Sequence, residues 1–148
     1  MWITPNPENL NTVLTGKEYD LVQTAAKADG QADPLPAIVQ RVVRMIRGKV
    51  AAGGNKLADG QTIPDELEDA FLAIYRFNAL TRFPNLKSLL DDARRDAKKD
   101  ALALLDSVAA GKFQIEAPEE VTAEIIGPPG PKFKARDRVL SREQQNGS

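Results

Sequence analysis

A helical repeat of apolar residues between positions 35 and 50 constrains the fold of this 148-residue chain more than any other feature. Apolar side chains recur there at offsets of 0, 3, 4, 7, 8, 11 and 15, a spacing that places them on one face of an α-helix. They are Leu35, Ile38, Val39, Val42, Val43, Ile46 and Val50. Most are β-branched, which slightly disfavours a helix, but the periodicity outweighs that small preference. We predict a long amphipathic helix that begins at Asp33-Pro34 and ends at Gly53-Gly54.

Helix start and stop signals also occur in the flanking segments. Asn6-Pro7 and the capping-box spacing from Thr15 to Glu18 predict two short helices before residue 30. Ile63-Pro64, followed by acidic residues, opens a further helix that Pro84 ends. Because this helix is the most aromatic part of the chain, we place it at the centre of the core.

A last helix is predicted from Leu86 to Ala110, closed by Gly111. Its predicted buried face consists of Leu86, Leu89, Leu90, Ala93, Ala97, Ala101, Leu104, Leu105 and Val108. The three alanines form a smooth ridge that would let another helix approach closely. The fold class predicted for residues 1–117 is therefore all-α, a small bundle of about four or five helices.

The character of the chain changes after Gly111. Residues 112–116 alternate like a short strand, residues 121–126 are a candidate for another, and the Gly-Pro-Pro-Gly-Pro run at 127–131 excludes helix. Residues 118–148 are predicted to form an extended, partly β, Pro-rich arm. It has too few apolar residues to fold alone, so it is either disordered or held by a partner.

The absence of two residue types restricts the chemistry. The chain has no Cys and no His, which excludes disulfides, thiolate metal sites and Ser-His-Asp arrangements. We therefore predict no enzyme activity, no cofactor and no metal. With a net charge of −1, the chain as a whole does not attract nucleic acid electrostatically. No apolar run approaches the roughly 18 residues of a membrane span. With no signal peptide at the N-terminus, we expect an intracellularly made protein without a membrane partner.

Three charged surfaces are candidate partner interfaces. The segment 34–58 has five basic and no acidic residues, and its arginine stripe could dock an acidic partner or DNA phosphates. The stripe consists of Arg41, Arg44 and Arg47. Near the start of the next helix, a complementary acidic patch consists of Asp59, Asp65, Glu66, Glu68 and Asp69. In the arm, the basic stretch contains Lys132, Phe133, Lys134, Arg136 and Arg138.

The arginine stripe and the acidic patch also have ordinary structural explanations. The arginine stripe is equally typical of the solvated face of an amphipathic helix. Acidic residues at a helix start commonly oppose the helix dipole, so a catalytic carboxylate pair around Asp65 and Glu66 is the weaker alternative. Their spacing does not match a calcium loop either. The charged run from Asp91 to Asp100 is predicted to be a solvated helix face with ion pairs three and four residues apart.

The order of several segments resembles a known family. These segments are Trp2-Ile3-Thr4, a long helix that ends near Arg47-Gly48, IPDELEDAFLAIYRFNALTRFP, LLDSVAAGKFQIEAP, and the ending at residues 136–143. Together they resemble the small head–tail connector proteins of tailed bacteriophages, in particular the phage Mu-like neck proteins. The polar loop at 48–62 departs from that family's pattern.

The resemblance implies a structural adaptor in the virion neck, assembled in the cytoplasm of the host bacterium. Its partners would be further copies in a ring of twelve, together with the portal protein and a tail or stopper/terminator protein. DNA would pass through the ring without sequence-specific contact, and the arm would reach a neighbouring subunit or the portal. The alternative is a small DNA-binding protein that uses Arg41, Arg44 and Arg47.

Overall fold

The long amphipathic helix predicted from the apolar repeat is present and forms one wall of the core. The computed structural model of the chain describes residues 1–28 and 30–118. In it, helix α2 spans Leu35–Ala52, and all seven residues of the predicted apolar face are buried. The backbone N–H of Leu35 donates a 2.9 Å hydrogen bond to Asp33 Oδ1, and the helix ends at Gly53 as predicted.

Helices account for nearly all regular structure in the described part of the chain. In chain order they are α1 (Gly16–Ala26), α2, α3 (Glu68–Arg82) and α4 (Asp92–Ala109). A two-residue strand β1 (Trp2–Ile3) pairs antiparallel with β2 (Ile63–Pro64), with Trp2 opposite Pro64. One compact unit spans Met1–Pro118. The predicted all-α fold class is confirmed, and no described helix has the length and apolar character needed to cross a membrane.

Helix α3 occupies the centre of the core, as its aromatic content predicted. Phe71 and Tyr75 are fully buried, with ring centroids 5.4 Å apart. The buried Tyr75 hydroxyl donates a hydrogen bond to the carbonyl oxygen of Pro7 at 2.8 Å, and burial raises the pKa of this phenol. This bond attaches the N-terminal segment to the core.

Two helix predictions near the ends of the bundle need correction. The first short helix is a 3₁₀ helix, Pro7–Thr12, whereas the second, α1, begins with the predicted capping box of Thr15 and Glu18. The last helix does not begin at Leu86, because Pro84–Leu89 forms a separate 3₁₀ helix.

Asp91 is the N-cap of α4, so the helix begins at Asp92. Its backbone is extended, and its side chain accepts a hydrogen bond from the Arg94 N–H at 2.8 Å, so it acts as an N-cap. In consequence Ala93 is exposed and Ala97 is half-buried, and α4 is fully buried only at Ala101, Leu105 and Val108.

The strand predicted at residues 112–116 is wrong. This segment is irregular and joins no sheet. Side chains satisfy its backbone instead: the Glu116 N–H donates to Glu66 Oε2 at 2.8 Å, and the Glu116 carbonyl accepts from Trp2 Nε1 at 3.1 Å. The strand predicted at 121–126, the 127–131 turn and the rest of the arm after Pro118 lie outside the described residues.

Candidate functional site

Two of the three predicted arginines remain available for a partner. Arg41 and Arg44 are exposed on the solvent face of α2, opposite its buried apolar face. Within residues 1–28 and 30–118, neither guanidinium has a hydrogen-bond or ion-pair partner. We call this pair the arginine face.

Arg47, the third residue of the predicted stripe, is half-buried and makes hydrogen bonds within the fold. Its two terminal nitrogens each donate a 2.7 Å hydrogen bond to a loop carbonyl, one to Thr62 and one to Ala58. Lys49, two residues nearer the end of α2, forms a 2.8 Å ion pair with Asp106 of α4. The polar loop at 48–62 is thus held against α2 by an arginine that sequence periodicity had placed on the surface.

The acidic patch also divides into two parts with different surroundings. Asp65 and Glu66 hold the termini of the described unit: Asp65 Oδ1 lies 3.4 Å from the Met1 ammonium, which also pairs with Glu116 at 2.8 Å. Hydrogen bonds from Glu66 and from the ammonium lower the pKa of Asp65. One carboxylate oxygen from each of Asp65, Glu66 and Glu116 lies within 4.8 Å of the others, and all three residues are exposed.

The second part of the acidic patch lies at the start of α3. Glu68 and Asp69 are both exposed, and Asp69 lies on the rim of a groove between α3 and α4. This groove, which we call the acidic groove, has a volume of about 290 Å³. Its lining includes Asp69, Asp100, Ala73, Ala97, Ala101 and Leu104, with no basic residue. Of the predicted alanine ridge, Ala97 and Ala101 line this groove, whereas Ala93 is exposed.

A groove of opposite charge lies along the other flank of α4. It has a volume of about 500 Å³ and is lined by Phe77, Arg95, Lys98, Lys99, Leu102 and Asp106, among others. Three basic residues against one acidic residue give it a charge of +2, and we call it the basic groove. This surface was not predicted from the sequence, because the charged run was interpreted only as a solvated helix face. The sequence feature that could have indicated it is two pairs of basic residues, 94–95 and 98–99, one helical turn apart.

The floor of the basic groove is organised by a cation–π contact. Lys98 Nζ lies 4.3 Å from the centroid of the Phe77 ring and donates a 3.1 Å hydrogen bond to Asn78 Oδ1. Arg95, by comparison, makes only a 3.5 Å contact with Asp92, and both side chains are largely exposed. Arg95 and Lys99 are therefore the cations of this groove that a partner can reach.

A partly buried ion pair fixes α1 to α4 and was also missed. Arg94 lies 2.8 Å from Glu18 and donates a second hydrogen bond, of 2.9 Å, to the Leu89 carbonyl. The side chains of Glu18 and Arg94 are only 18% and 15% exposed, and the bond from Arg94 lowers the pKa of Glu18. Nearby, Arg76 donates to the Val13 carbonyl at 3.3 Å, and burial lowers the pKa of its guanidinium. This cluster stabilises the packing of the helices and is not open to a partner.

The remaining predicted interface residues lie outside the described part of the chain. They are Lys132, Phe133, Lys134, Arg136 and Arg138. Comparison with protein-family models, with curated proteins and with solved structures finds no match to this chain.

Proposed function

We propose that this protein is a structural subunit of a tailed-phage neck, a head–tail connector that forms a ring below the portal and joins the capsid to the tail. The observation that supports this role is the presence of separate surfaces of opposite charge. The arginine face lies on α2 and the basic groove lies beside α4, whereas Asp69 and Asp100 line the acidic groove between α3 and α4.

Surfaces of this kind favour assembly in a ring. When one surface of a subunit meets a different surface of the next copy, the contact is heterologous and produces a ring if the rotation closes. Separate basic and acidic patches on one chain meet that requirement, because like charges repel in other arrangements. The family resemblance supplies the ring of twelve, the portal and the tail or stopper/terminator protein as partners. DNA passes through such a ring without sequence-specific contact.

The test is a mass measurement by light scattering after size exclusion, with the full chain alone and then mixed with purified portal rings. We expect co-migration with the portal in a fixed multiple of subunits. The variant Arg41→Glu/Arg44→Glu tests whether the arginine face contributes. Its matched control is Lys17→Glu/Lys87→Glu, which makes the same charge change at exposed residues elsewhere. The proposal is contradicted if the chain stays monomeric and does not bind portal rings.

The second candidate function is DNA binding through the arginine face. Arg41 and Arg44 favour it, since they lie three residues apart on an exposed helix face and have no partner among the described residues. The hydrogen bonds of Arg47 within the fold leave fewer phosphate contacts than the sequence predicted. Each phosphate contact contributes a slope of about −0.9 to the dependence of log K on log salt, so two arginines give roughly −2. Titration of duplex DNA at several salt concentrations measures this slope. Absence of binding at low salt eliminates this candidate.

A further inference from the structure

The two grooves beside α4 provide a second, more specific interface. We propose that the basic groove of one copy binds the acidic flank of α4 in a second copy, with Lys99 and Arg95 facing Asp100. This inference rests on the proposed assembly and identifies the contact between neighbouring copies. The arginine face is then left for the portal or another partner.

Charge is the first argument for a second copy as the occupant. The basic groove contains three basic residues and one acidic residue, and that acidic residue, Asp106, is already paired with Lys49. The acidic groove contains Asp69 and Asp100 with no basic residue. The basic groove thus has a charge of +2 and the acidic groove a charge of −2, so the basic groove of one copy is complementary to the acidic groove of the next.

The position of the grooves on α4 is the second argument. An α-helix turns by about 100° per residue, so Arg95, Lys99 and Leu102 cluster on one side of the helix axis. By the same geometry Ala97, Asp100 and Leu104 cluster about 165° away, on nearly the opposite side. A copy that uses one flank keeps the other free for a further copy. This is the requirement for a heterologous, head-to-tail contact.

The chemistry of the side chains fits such a contact. Asp100 and Leu104 are four residues apart, so they form one ridge that presents a carboxylate next to an aliphatic group. In the basic groove, the half-buried Leu102 and Phe77 offer apolar surface for Leu104. Lys99 lies at the edge and is exposed. Because Arg95 has only a weak, exposed contact with Asp92, it can exchange that partner for Asp100 at little cost.

Charge reversal on each flank tests the contact in the full chain. Lys99→Glu and Asp100→Lys each place two like charges at the joint, and each is expected to weaken self-association about tenfold or more. Both substitutions preserve α4, because the first places an acid four residues after Arg95 and the second places a base four residues after Asp96. The matched control pair is Lys17→Glu and Asp20→Lys, at exposed positions of α1. Sedimentation velocity over a range of concentrations measures the association of each chain.

The decisive experiment mixes the two variants. In a head-to-tail assembly of equal amounts of Lys99→Glu and Asp100→Lys chains, one joint has the charges at positions 99 and 100 exchanged, with Arg95 unchanged, and the next joint is native. The mixture, and also the double variant, should therefore recover the association that each single variant lost. The control pair should associate like the unmodified chain.

The outcomes separate this inference from the proposed function. If the unmodified chain assembles, alone or on portal rings, and the two single variants assemble equally well, the α4 contact is wrong and the connector proposal stands. The same holds if mixing does not restore association. If the unmodified chain neither self-associates nor binds portal rings, both proposals fail.

Discussion

Replacement of Gly53 by alanine gives the sharpest test of the helix packing. Gly53 follows the last residue of α2, and its backbone lies against the carbonyl of Val108 in the last turn of α4. A Cβ atom added there would lie well within 3.0 Å of the Val108 carbonyl oxygen and 3.1 Å from Asn55 Nδ2. The backbone at Gly53 has φ −78° and ψ 2°, values that alanine adopts without strain. The expected cost is therefore entirely steric.

The size of that cost follows from two opposing effects. Forcing an extra methyl group into a packed contact costs about 1–3 kcal/mol, because two backbone segments must move apart. Alanine also stabilises the folded state by about 0.4–1 kcal/mol, because it reduces the conformational freedom of the unfolded chain. We expect Gly53→Ala to lower the free energy of unfolding by about 1–2 kcal/mol.

Gly48 provides the matched control in the same helix. It is exposed in the interior of α2, and a Cβ there meets no atom within 4 Å. Gly48→Ala should raise the free energy of unfolding by about 0.5–1 kcal/mol, since glycine is that much worse than alanine inside a helix. Urea denaturation followed by circular dichroism measures both changes, with unchanged m values as the check for two-state unfolding. If Gly53→Ala stabilises the protein as much as Gly48→Ala does, the close approach of α2 to α4 is refuted.

Three other contacts lead to further predictions. Arg47→Met should lower the free energy of unfolding by about 2 kcal/mol, because two loop carbonyls lose a charged donor, and amide exchange in residues 58–62 should accelerate. Tyr75→Phe should cost about 1–2 kcal/mol in the same urea assay, because it leaves the Pro7 carbonyl without its donor. The pKa of Glu18 is lowered in the folded state, so its contribution is present above the ordinary glutamate value of about 4.3 and is lost as the pH falls through the lower folded value. Unfolding measured from pH 7 to pH 3 should therefore show a stability difference between wild type and Glu18→Gln that shrinks on acidification.

Each of these predictions has an outcome that contradicts it. An Arg47→Met chain with unchanged stability but weakened portal or DNA binding would return this residue to the interface. A Tyr75→Phe chain as stable as the wild type would show that the Pro7 carbonyl is not held by the phenol. If the difference between wild type and Glu18→Gln stays constant down to pH 3, the ion pair with Arg94 does not stabilise the folded state.

Only part of the charged candidate site could be predicted from the sequence. The sequence identified Arg41 and Arg44 correctly as exposed residues, since both lie opposite the apolar face of α2. Periodicity assigned Arg47 to the same stripe and could not show that a loop eleven to fifteen residues further on folds back onto it. The basic groove was missed because its aromatic floor comes from α3 and its cations come from α4.

Local patterns in the sequence by themselves determined the long helix α2, the capping box of α1 and the all-α class, because helix formation depends on interactions within a few residues. The tertiary structure alone decided which residues of α4 are buried, how residue 116 satisfies its backbone, and which of the described charged side chains pair with one another. Those outcomes depend on contacts such as Glu18 with Arg94 and Gly53 with Val108, which join residues 76 and 55 positions apart. Spacing along the chain cannot encode such partners, because they are chosen only when the helices pack.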